Sequence, residues 1–190
     1  MIRKNKNLGS LLSSLKTMGE AIDVLEYPAN DVLLEQEKAS RHVFIIKKGL
    51  AKCSQTEANG KGFVQELFGP GEIFGEVEAL NESLSFCRID ALTKTEVYRI
   101  TTPDFLRLLD ENKKFNREVL KAISKKIMYK AQRHAFNQSH SLDENFQRLV
   151  SEFPEILEAV SKQDIADYLG VSLRSFNRSL QKQTPRNNFK

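Results

Sequence analysis

The sequence has 190 residues, of which 40% are hydrophobic and 28% charged, so the chain can bury a core and is not disordered as a whole. Its net charge of +4 is a mild indication of a polyanionic partner. Cys53 and Cys87 lie far apart and outside any CxxC or CxxH pattern, which argues against a disulfide framework or a zinc site and favours a reducing cytoplasm. No apolar stretch reaches the roughly 18 residues needed to span a bilayer, so we expect no membrane partner.

Residues 8–19 and 22–100 show two different apolar patterns. In the first stretch, leucines and a methionine recur at three- and four-residue spacing, which predicts a short amphipathic packing helix. The second stretch consists of short β-rich runs separated by turns, and Asn59-Gly60 is its strongest hairpin signal. The predicted strands span 22–27, 32–35, 43–47, 50–55, 62–67, 86–92 and 95–100. Short strands at this spacing predict an antiparallel roll or barrel.

The chain after residue 101 is predicted to be helical. The Thr-Pro-Asp sequence at 102–104 supplies a hydroxyl cap at Thr102, a proline at the first helical position and an acid in the first turn. A long helix without glycine or proline follows over about 112–138, and a capping box at 141–144 begins the next helix. One side of the long helix carries an apolar stripe, and lysines and arginines occupy the rest. The stripe consists of Leu120, Ile123, Ile127 and Ala131.

The most specific pattern in the sequence is a pair of short helices joined by a glycine. Ser161 caps the first helix, and the small Ala166 on its apolar side lets a second helix cross closely. Gly170 suits the sharp turn between them because glycine tolerates positive φ. Ser172 caps the second helix, which turns Phe176 inward. This arrangement predicts a helix-turn-helix, and the alternative is an ordinary αα-corner with a solvated basic face.

The outward side of this second helix is polar and basic. Its residues are Ser172, Leu173, Arg174, Ser175, Asn177, Arg178 and Lys182. Such a helix fits the major groove of DNA, where an arginine fork matches the O6 and N7 atoms of guanine. Basic residues also dominate nearby, since 112–140 holds eight lysines and arginines against one acid, and 172–190 holds five and no acid. We therefore expect double-stranded DNA as the partner.

This helix pair resembles the helix-turn-helix of the Crp/Fnr family of transcriptional regulators, and the resemblance extends upstream through the whole chain. It implies an α+β fold in three parts. These are an antiparallel β-roll sensor domain over 1–111 (a double-stranded β-helix, jelly-roll-like), a dimerisation helix over 112–140 and an all-α DNA-binding domain over 141–190. The resemblance also implies that Leu173, Arg174 and Arg178 occupy the positions that read bases.

One feature of this family is missing after the helix-turn-helix. Only eight residues follow Lys182, too few for the β-hairpin wing that family members commonly carry. Arg186 and Lys190 in this basic tail are candidates for replacing the phosphate contacts of the wing, and the alternative is weaker binding to DNA.

The stretch from Gly69 to Leu80 resembles the phosphate-binding cassette of cyclic-nucleotide-binding domains. The resemblance implies that a short helix begins at Phe74 and Gly75, where backbone N–H groups face a phosphate, and that Glu76 binds the ribose hydroxyl. In that cassette an Arg-Ser or Arg-Thr pair follows the glutamate by about ten residues and binds the anionic phosphate.

The arginine of that pair is missing here. Leu84, Ser85 and Phe86 stand at its place, and Arg88 lies two residues too far along the strand to serve without a rearranged loop. Three interpretations of the pocket stay open: a different ligand, a vestigial pocket, or a pocket that still takes a cyclic nucleotide. We expect no cofactor, an effector that the sequence does not identify, and no control by cyclic AMP. No metal is expected either, because two cysteines are too few for an iron-sulfur sensor and the histidines are scattered.

In this family the long helix pairs with its two-fold mate. The resemblance therefore implies that the apolar stripe is the seam of a homodimer, and the alternative is a helix packed only on its own β-roll. A dimer sets two recognition helices about one DNA turn, roughly 34 Å, apart and calls for a palindromic site. RNA polymerase is a further partner that the resemblance implies, through a surface that the sequence does not identify.

Two classes of function remain. The first is a dimeric bacterial transcriptional regulator in the cytoplasm. The second is a ligand-binding or protein-interaction module with a degenerate DNA-binding region, which would lack salt-dependent, sequence-selective binding to duplex DNA. An enzyme is not expected, since the sequence shows no nucleophile elbow, metal-ligand spacing, P-loop or paired carboxylates. Asp164 and Asp167 are interpreted as solvated charges on the outer side of the first helix of the pair.

Overall fold

A computed structural model describes residues 3–60 and 62–183 of the protein. Arg186 and Lys190, the candidates for replacing the wing, lie outside these residues. The strands are β1 (Asp23–Tyr27), β2 (Val32–Leu34), β3 (His42–Lys48), β4 (Ala51–Thr56), β5 (Gly62–Phe68), β6 (Ile73–Phe74), β7 (Arg88–Ala91) and β8 (Thr95–Thr101). The helices are α1 (Lys6–Thr17), α2 (Glu76–Asn81), α3 (Thr102–Glu111), α4 (Lys113–Ser139), α5 (Leu142–Glu152), α6 (Ile156–Ala159), α7 (Lys162–Leu169) and α8 (Leu173–Gln183).

The strands form two four-stranded sheets, with the orders β1-β8-β3-β6 and β2-β7-β4-β5. Every pair of neighbouring strands is antiparallel, and the two sheets together make the β-roll. The predicted α+β fold with an antiparallel roll is therefore confirmed. The short strand β6 was not predicted, because two residues are too few for a periodic signal.

Strand β3 shows how the roll and the helices share the apolar residues. Four consecutive residues of β3, Val43 to Ile46, are buried. Val43 and Ile45 face a core made with α1, α3 and α4, whereas Phe44 and Ile46 face the interior of the roll. A strand buried on both faces reads as a continuous apolar run, which is why β3 lacks the usual alternation.

Helix α1 packs on the outside of the roll. Leu8, Leu11, Leu12 and Leu15 are all buried in the core between α1, α3, α4 and β3, so the prediction of a packing helix is confirmed. Residues 3–5 run in front of α1, beside the end of β5. The amide of Gly69 donates to the carbonyl of Arg3 at 2.9 Å, and that of Asn5 donates to the carbonyl of Pro70 at 2.8 Å.

Helices α3 and α4 follow the last strand. The cap of α3 is Thr101, whose hydroxyl accepts from the amide of Asp104, so the assignment of the cap to Thr102 was wrong by one residue. Asn112 caps α4, which runs for 27 residues. The side of α4 that faces the roll begins with Phe115, Val119 and Ala122, and all three are buried.

The last four helices share a core with the roll. Phe146 of α5 and Phe176 of α8 pack edge to face with ring centroids 5.0 Å apart, and both are fully buried. Val64 and Leu67 of β5 belong to the same apolar cluster. The helices after α4 are therefore seated on β5 and are not held by the chain connection alone.

An ion pair joins the same two parts of the molecule. The ammonium of Lys52 on β4 lies 2.5 Å from the carboxylate of Asp164 on α7, and the Asp164 side chain is 16% exposed. The interpretation of Asp164 as a solvated charge was therefore wrong. No helix within residues 3–60 and 62–183 combines the length and the apolarity needed to cross a membrane.

Candidate nucleic-acid interface and sensor pocket

The corner between α7 and α8 has the geometry that the sequence predicts. The Ser161 hydroxyl accepts from the amide of Asp164 and caps α7. Gly170 ends α7 in the left-handed region at φ 71°, where a residue with a side chain is strained. The hydroxyl of Ser172 accepts from the amide of Ser175 at 3.2 Å and begins α8. The helix-turn-helix thus rests on the local signals that the sequence carries.

Helix α8 presents one polar face to solvent. Phe176 and Ser179 point inward and are buried. Leu173 is 36% exposed, Arg174, Arg178 and Lys182 are exposed, and Ser175 and Asn177 are half-buried. A shallow surface along α8 brings together Leu173, Arg174, Ser175, Asn177, Arg178 and Gln181. The predicted residues therefore lie on one continuous face, which contains no acid.

The far end of α8 is tied to α5 through Asp143. The buried hydroxyl of Ser179 donates to this carboxylate at 2.5 Å, and the ammonium of Lys182 lies 3.6 Å from it. The hydrogen bond from Ser179, together with the charges of Lys182 and Arg178, holds the pKa of Asp143 below its usual range. Lys182 is thus partly neutralised by its own chain, whereas Arg174 and Arg178 have no ion pair among the described residues.

Comparison with known proteins agrees with this architecture. Residues 24–112 match the cyclic nucleotide-binding domain family. A solved transcriptional regulator of the CRP/FNR family from Thermus thermophilus superposes with a TM-score of 0.71 at 13% identity, covering 84% of each chain. The chain has the Crp/Fnr fold. The c-di-GMP-responsive global regulator CLP of Xanthomonas campestris superposes with a TM-score of 0.75 at 17% identity, covering 90% of each chain.

Among curated proteins the similarity is confined to part of each relative. A potassium channel from Oryza sativa subsp. japonica is 27% identical over 129 residues, which are 68% of this chain and 21% of the channel. The chain spans between 21% and 38% of the length of the first three curated relatives. These matches support the β-roll, and the Crp/Fnr structures extend the likeness to the C-terminal helices.

The stretch that resembles the phosphate-binding cassette runs from the end of β6 into α2. Phe74 ends β6, and Gly75 caps α2 at φ 84°. A Cβ atom at Gly75 would lie 2.7 Å from the carbonyl oxygen of His42, so only glycine fits there. Glu76 begins α2 and is 1% exposed. Its carboxylate lies 2.5 Å from the ammonium of Lys126 on α4, which also donates to the carbonyl of Ile73 at 2.8 Å.

The residues that stand at the place of the missing arginine lie in different surroundings in the structure. Phe86 lines the pocket, and Ser85 is buried and donates to the carbonyl of Cys87 at 2.7 Å. Arg88 is exposed and donates to Asp90 at 2.7 Å, so its guanidinium is engaged outside the pocket. The structure therefore does not bring Arg88 to the cassette.

The pocket itself is small and holds internal ion pairs. The cavity between the cassette, the roll and α4 has a volume of about 40 Å³, against the roughly 300 Å³ or more typical of ligand sites. Glu66, Glu76, Lys126 and Lys130 line the cavity, and ion pairs connect them with Arg3 and Glu72 next to it. Glu78 is a further buried acid in the lining. The carboxylates outnumber the cations, which disfavours an anionic ligand.

The two cysteines, distant in sequence, meet in this pocket. Both are free and buried, and both line the cavity. A hydrogen bond from Cys87 and burial raise the pKa of Cys53 far above its usual value, so its thiol stays protonated and unreactive. Within the part of the chain that the structure describes, no three His, Cys, Asp or Glu residues group as metal ligands.

Three aromatic and basic residues that the sequence did not single out join the roll, α4 and α7. Arg133 on α4 stacks on the ring of Tyr168 at 3.8 Å and donates to the carbonyls of Tyr168 and Gln65. The hydroxyls of Tyr129 and Tyr168 are hydrogen-bonded to each other. Burial and the neighbouring Tyr168 raise the pKa of Tyr129, so its phenol stays neutral. These contacts position α7 on the end of α4.

Proposed function

We propose that the protein is a homodimeric, DNA-binding transcriptional regulator that reads a palindromic site through α8. One observation carries the proposal. Buried Phe176 seats α8 on α5, while its free side presents Arg174 and Arg178 without a single acid. In a helix-turn-helix the exposed side of the second helix enters the major groove. Arginines on that side can bind the edges of guanine bases. Leu173 beside them suits a thymine methyl group.

The exposed face of α4 supports the homodimer. Leu120 is 61% exposed, Ile127 64% and Met128 57%, and Ala131 continues the stripe in solvent. Ile123 is half-buried against the core of its own chain. An apolar stripe of this kind on a helix otherwise rich in lysine suits the same stripe of a second copy. Such a dimer would set its two α8 helices about one DNA turn, roughly 34 Å, apart.

The pocket supports independence from cyclic AMP. Glu76, which by resemblance would take the ribose, is paired with Lys126, and Arg88 is engaged elsewhere. A cyclic phosphate would meet an excess of buried carboxylates without a bidentate arginine. We therefore propose a cytoplasmic regulator that works without this nucleotide and meets RNA polymerase at its promoters.

Selection from a randomised duplex pool at near-physiological salt, with and without cyclic AMP, tests this function. We expect the same palindrome to be enriched in both arms, with half-site centres about 10 base pairs apart. Enrichment only in the arm with cyclic AMP would contradict the proposed independence. If neither arm is enriched, either DNA binding requires an effector other than cyclic AMP or the protein is the interaction module.

Ile127→Glu is expected to break the dimer without unfolding the chain. The side chain is 64% exposed in the single chain, so a carboxylate there is solvated, but in a symmetric seam it would face its own copy. We expect the dimer dissociation constant to rise at least about tenfold, since a buried unpaired charge costs more than about 1.4 kcal/mol. Sedimentation equilibrium measures the change, and Lys125→Glu, on an exposed part of the same helix, is the control. An unchanged dissociation constant would place the dimer contact elsewhere.

A further inference from the structure

The segment in front of α1 inserts a side chain between the roll and α4. Residues 3–5 lie along the end of β5, where Arg3 forms a parallel bridge with Phe68. A Cβ atom at Gly71 would lie 1.8 Å from the carbonyl oxygen of Asn5, so the chain there is shaped to let the segment pass. The Arg3 side chain is 7% exposed, which is unusual for an arginine.

Two buried carboxylates receive this guanidinium. Its Nη2 atom lies 2.5 Å from Oε2 of Glu66 and 3.2 Å from Oε2 of Glu72. Glu66 is 1% exposed and Glu72 6% exposed. The other oxygen of Glu66 lies 3.1 Å from the ammonium of Lys130. Burial raises the pKa of Glu72, and the charges of Arg3 and Lys126 offset part of that rise.

Two aromatic rings complete the surroundings. The guanidinium carbon lies 5.8 Å from the ring centroid of Phe68 on β5 and 5.2 Å from that of Tyr129 on α4. A planar, weakly hydrated cation gains from such rings, and a compact ammonium gains less because it keeps its water. The ammonium of Lys126 also lies 5.6 Å from the Phe68 ring, so selectivity for a guanidinium group rests on the Tyr129 ring together with the two acids.

The fit of Arg3 in this place is incomplete. Its Nε and Nη1 atoms are buried and have no hydrogen-bond partner among residues 3–60 and 62–183. Buried donors without partners lower the net stabilisation of a group by an amount comparable to a hydrogen bond each. The guanidinium is thus held by the charges of the two acids and by the rings, and part of its hydrogen-bonding capacity is not used.

We propose that Glu66, Glu72 and the rings of Phe68 and Tyr129 form a guanidinium-binding site that Arg3 occupies as an intramolecular ligand. A small guanidinium compound binds the same site when the Arg3 side chain is absent. The site lies between β5 and α4, so its occupant joins the roll to the long helix. This inference does not depend on the proposed binding to DNA.

Chemical rescue of Arg3→Ala tests the site. The thermal midpoint of this variant is measured in methylguanidinium chloride and in methylammonium chloride at equal millimolar concentration. We expect methylguanidinium to raise the midpoint by roughly 2–4 °C. Methylammonium should give no rise, and neither salt should shift the wild-type protein. The double variant Arg3→Ala/Glu66→Gln should lose the rescue.

Two results would overturn the proposal: an equal response to both salts, or rescue that persists without the Glu66 carboxylate. Arg3→Met keeps the apolar stem and is a second variant if Arg3→Ala does not fold. We expect its thermal midpoint to lie roughly 4 °C below that of the wild type. A midpoint equal to that of the wild type would show that the guanidinium group is not bound and would also overturn the proposal.

Discussion

Arg178→Ala is expected to weaken specific DNA binding by roughly 30-fold or more, because an arginine paired with a guanine supplies about 1–3 kcal/mol of discrimination at each half-site. A homodimer loses the contact twice, so the two losses sum to at least about 2 kcal/mol. Arg174→Ala should behave alike, since both side chains lie on the same face of α8. Titration of the selected palindrome by fluorescence anisotropy measures the change.

A matched control separates base reading from general attraction. Arg41→Ala removes one exposed positive charge from the β-roll and should leave specific affinity nearly unchanged. Loss of a base contact should also relax sequence preference at one position of each half-site, whereas loss of a phosphate contact weakens all sequences alike. Equal losses for Arg178→Ala on the palindrome and on random duplex would show that Arg178 does not read bases.

The features that the sequence predicted well are those with local causes. The cap at Ser161, the positive φ of Gly170 and the cap at Ser172 each depend on residues within one turn, and the structure has all three. The capping box from Ser141 to Glu144 is present for the same reason. Local hydrogen bonds of this kind can be recognised in a sequence because both partners are neighbours.

The ion pairs that join α4 and α7 to the roll could not be predicted in this way, because their partners are far apart in the chain. Glu76 and Lys126 are 50 residues apart, and Lys52 and Asp164 are 112 apart. A charged residue on a surface helix is usually solvated, so Asp164 was interpreted as a solvated charge. Only the packing of α4 and α7 on the roll brings Lys126 to Glu76 and Asp164 to Lys52.

A signal for Lys126 was nevertheless present in helix α4. The buried side of this helix begins with Phe115, Val119 and Ala122, at steps of four and three residues. The same steps lead on to Lys126, Tyr129 and Arg133, which all face the roll. The apolar stripe recognised in the sequence lies on the other side of α4, and Lys126 was counted only among the basic residues on the rest of the helix. A stripe that begins with apolar residues and continues with basic ones indicates a helix that packs in a core at one end. At its other end such a helix packs against buried acids.

Lys126 therefore has a structural role that an exposed lysine does not have. Burial lowers its pKa, but the charges of Glu76 and Glu66 outweigh that effect and raise the pKa above its ordinary value. The lysine is thus charged at pH 7. Because its folded pKa is raised, its contribution to stability is fully present below the unfolded value of about 10.4 and is lost as the pH rises through the folded value.

Lys126→Met is expected to lower the free energy of unfolding by about 3–5 kcal/mol, because it leaves Glu76 buried without its cation. The Glu76 side chain is 1% exposed, and one of its oxygens already lacks a partner within the described residues, so the loss of the ammonium removes its only ion pair there. Urea titration followed by far-ultraviolet circular dichroism measures the loss.

Two further variants separate the effect of the broken Lys126–Glu76 ion pair from the general effect of removing a lysine. Lys121→Met removes an exposed lysine of the same helix that pairs with Glu118 at 2.8 Å, and should cost less than about 1 kcal/mol. The double variant Lys126→Met/Glu76→Gln should be more stable than Lys126→Met alone, since neither charge is then left buried. If the double variant is instead less stable, the lysine stabilises the fold through its contact with the carbonyl of Ile73 and its packing against the roll.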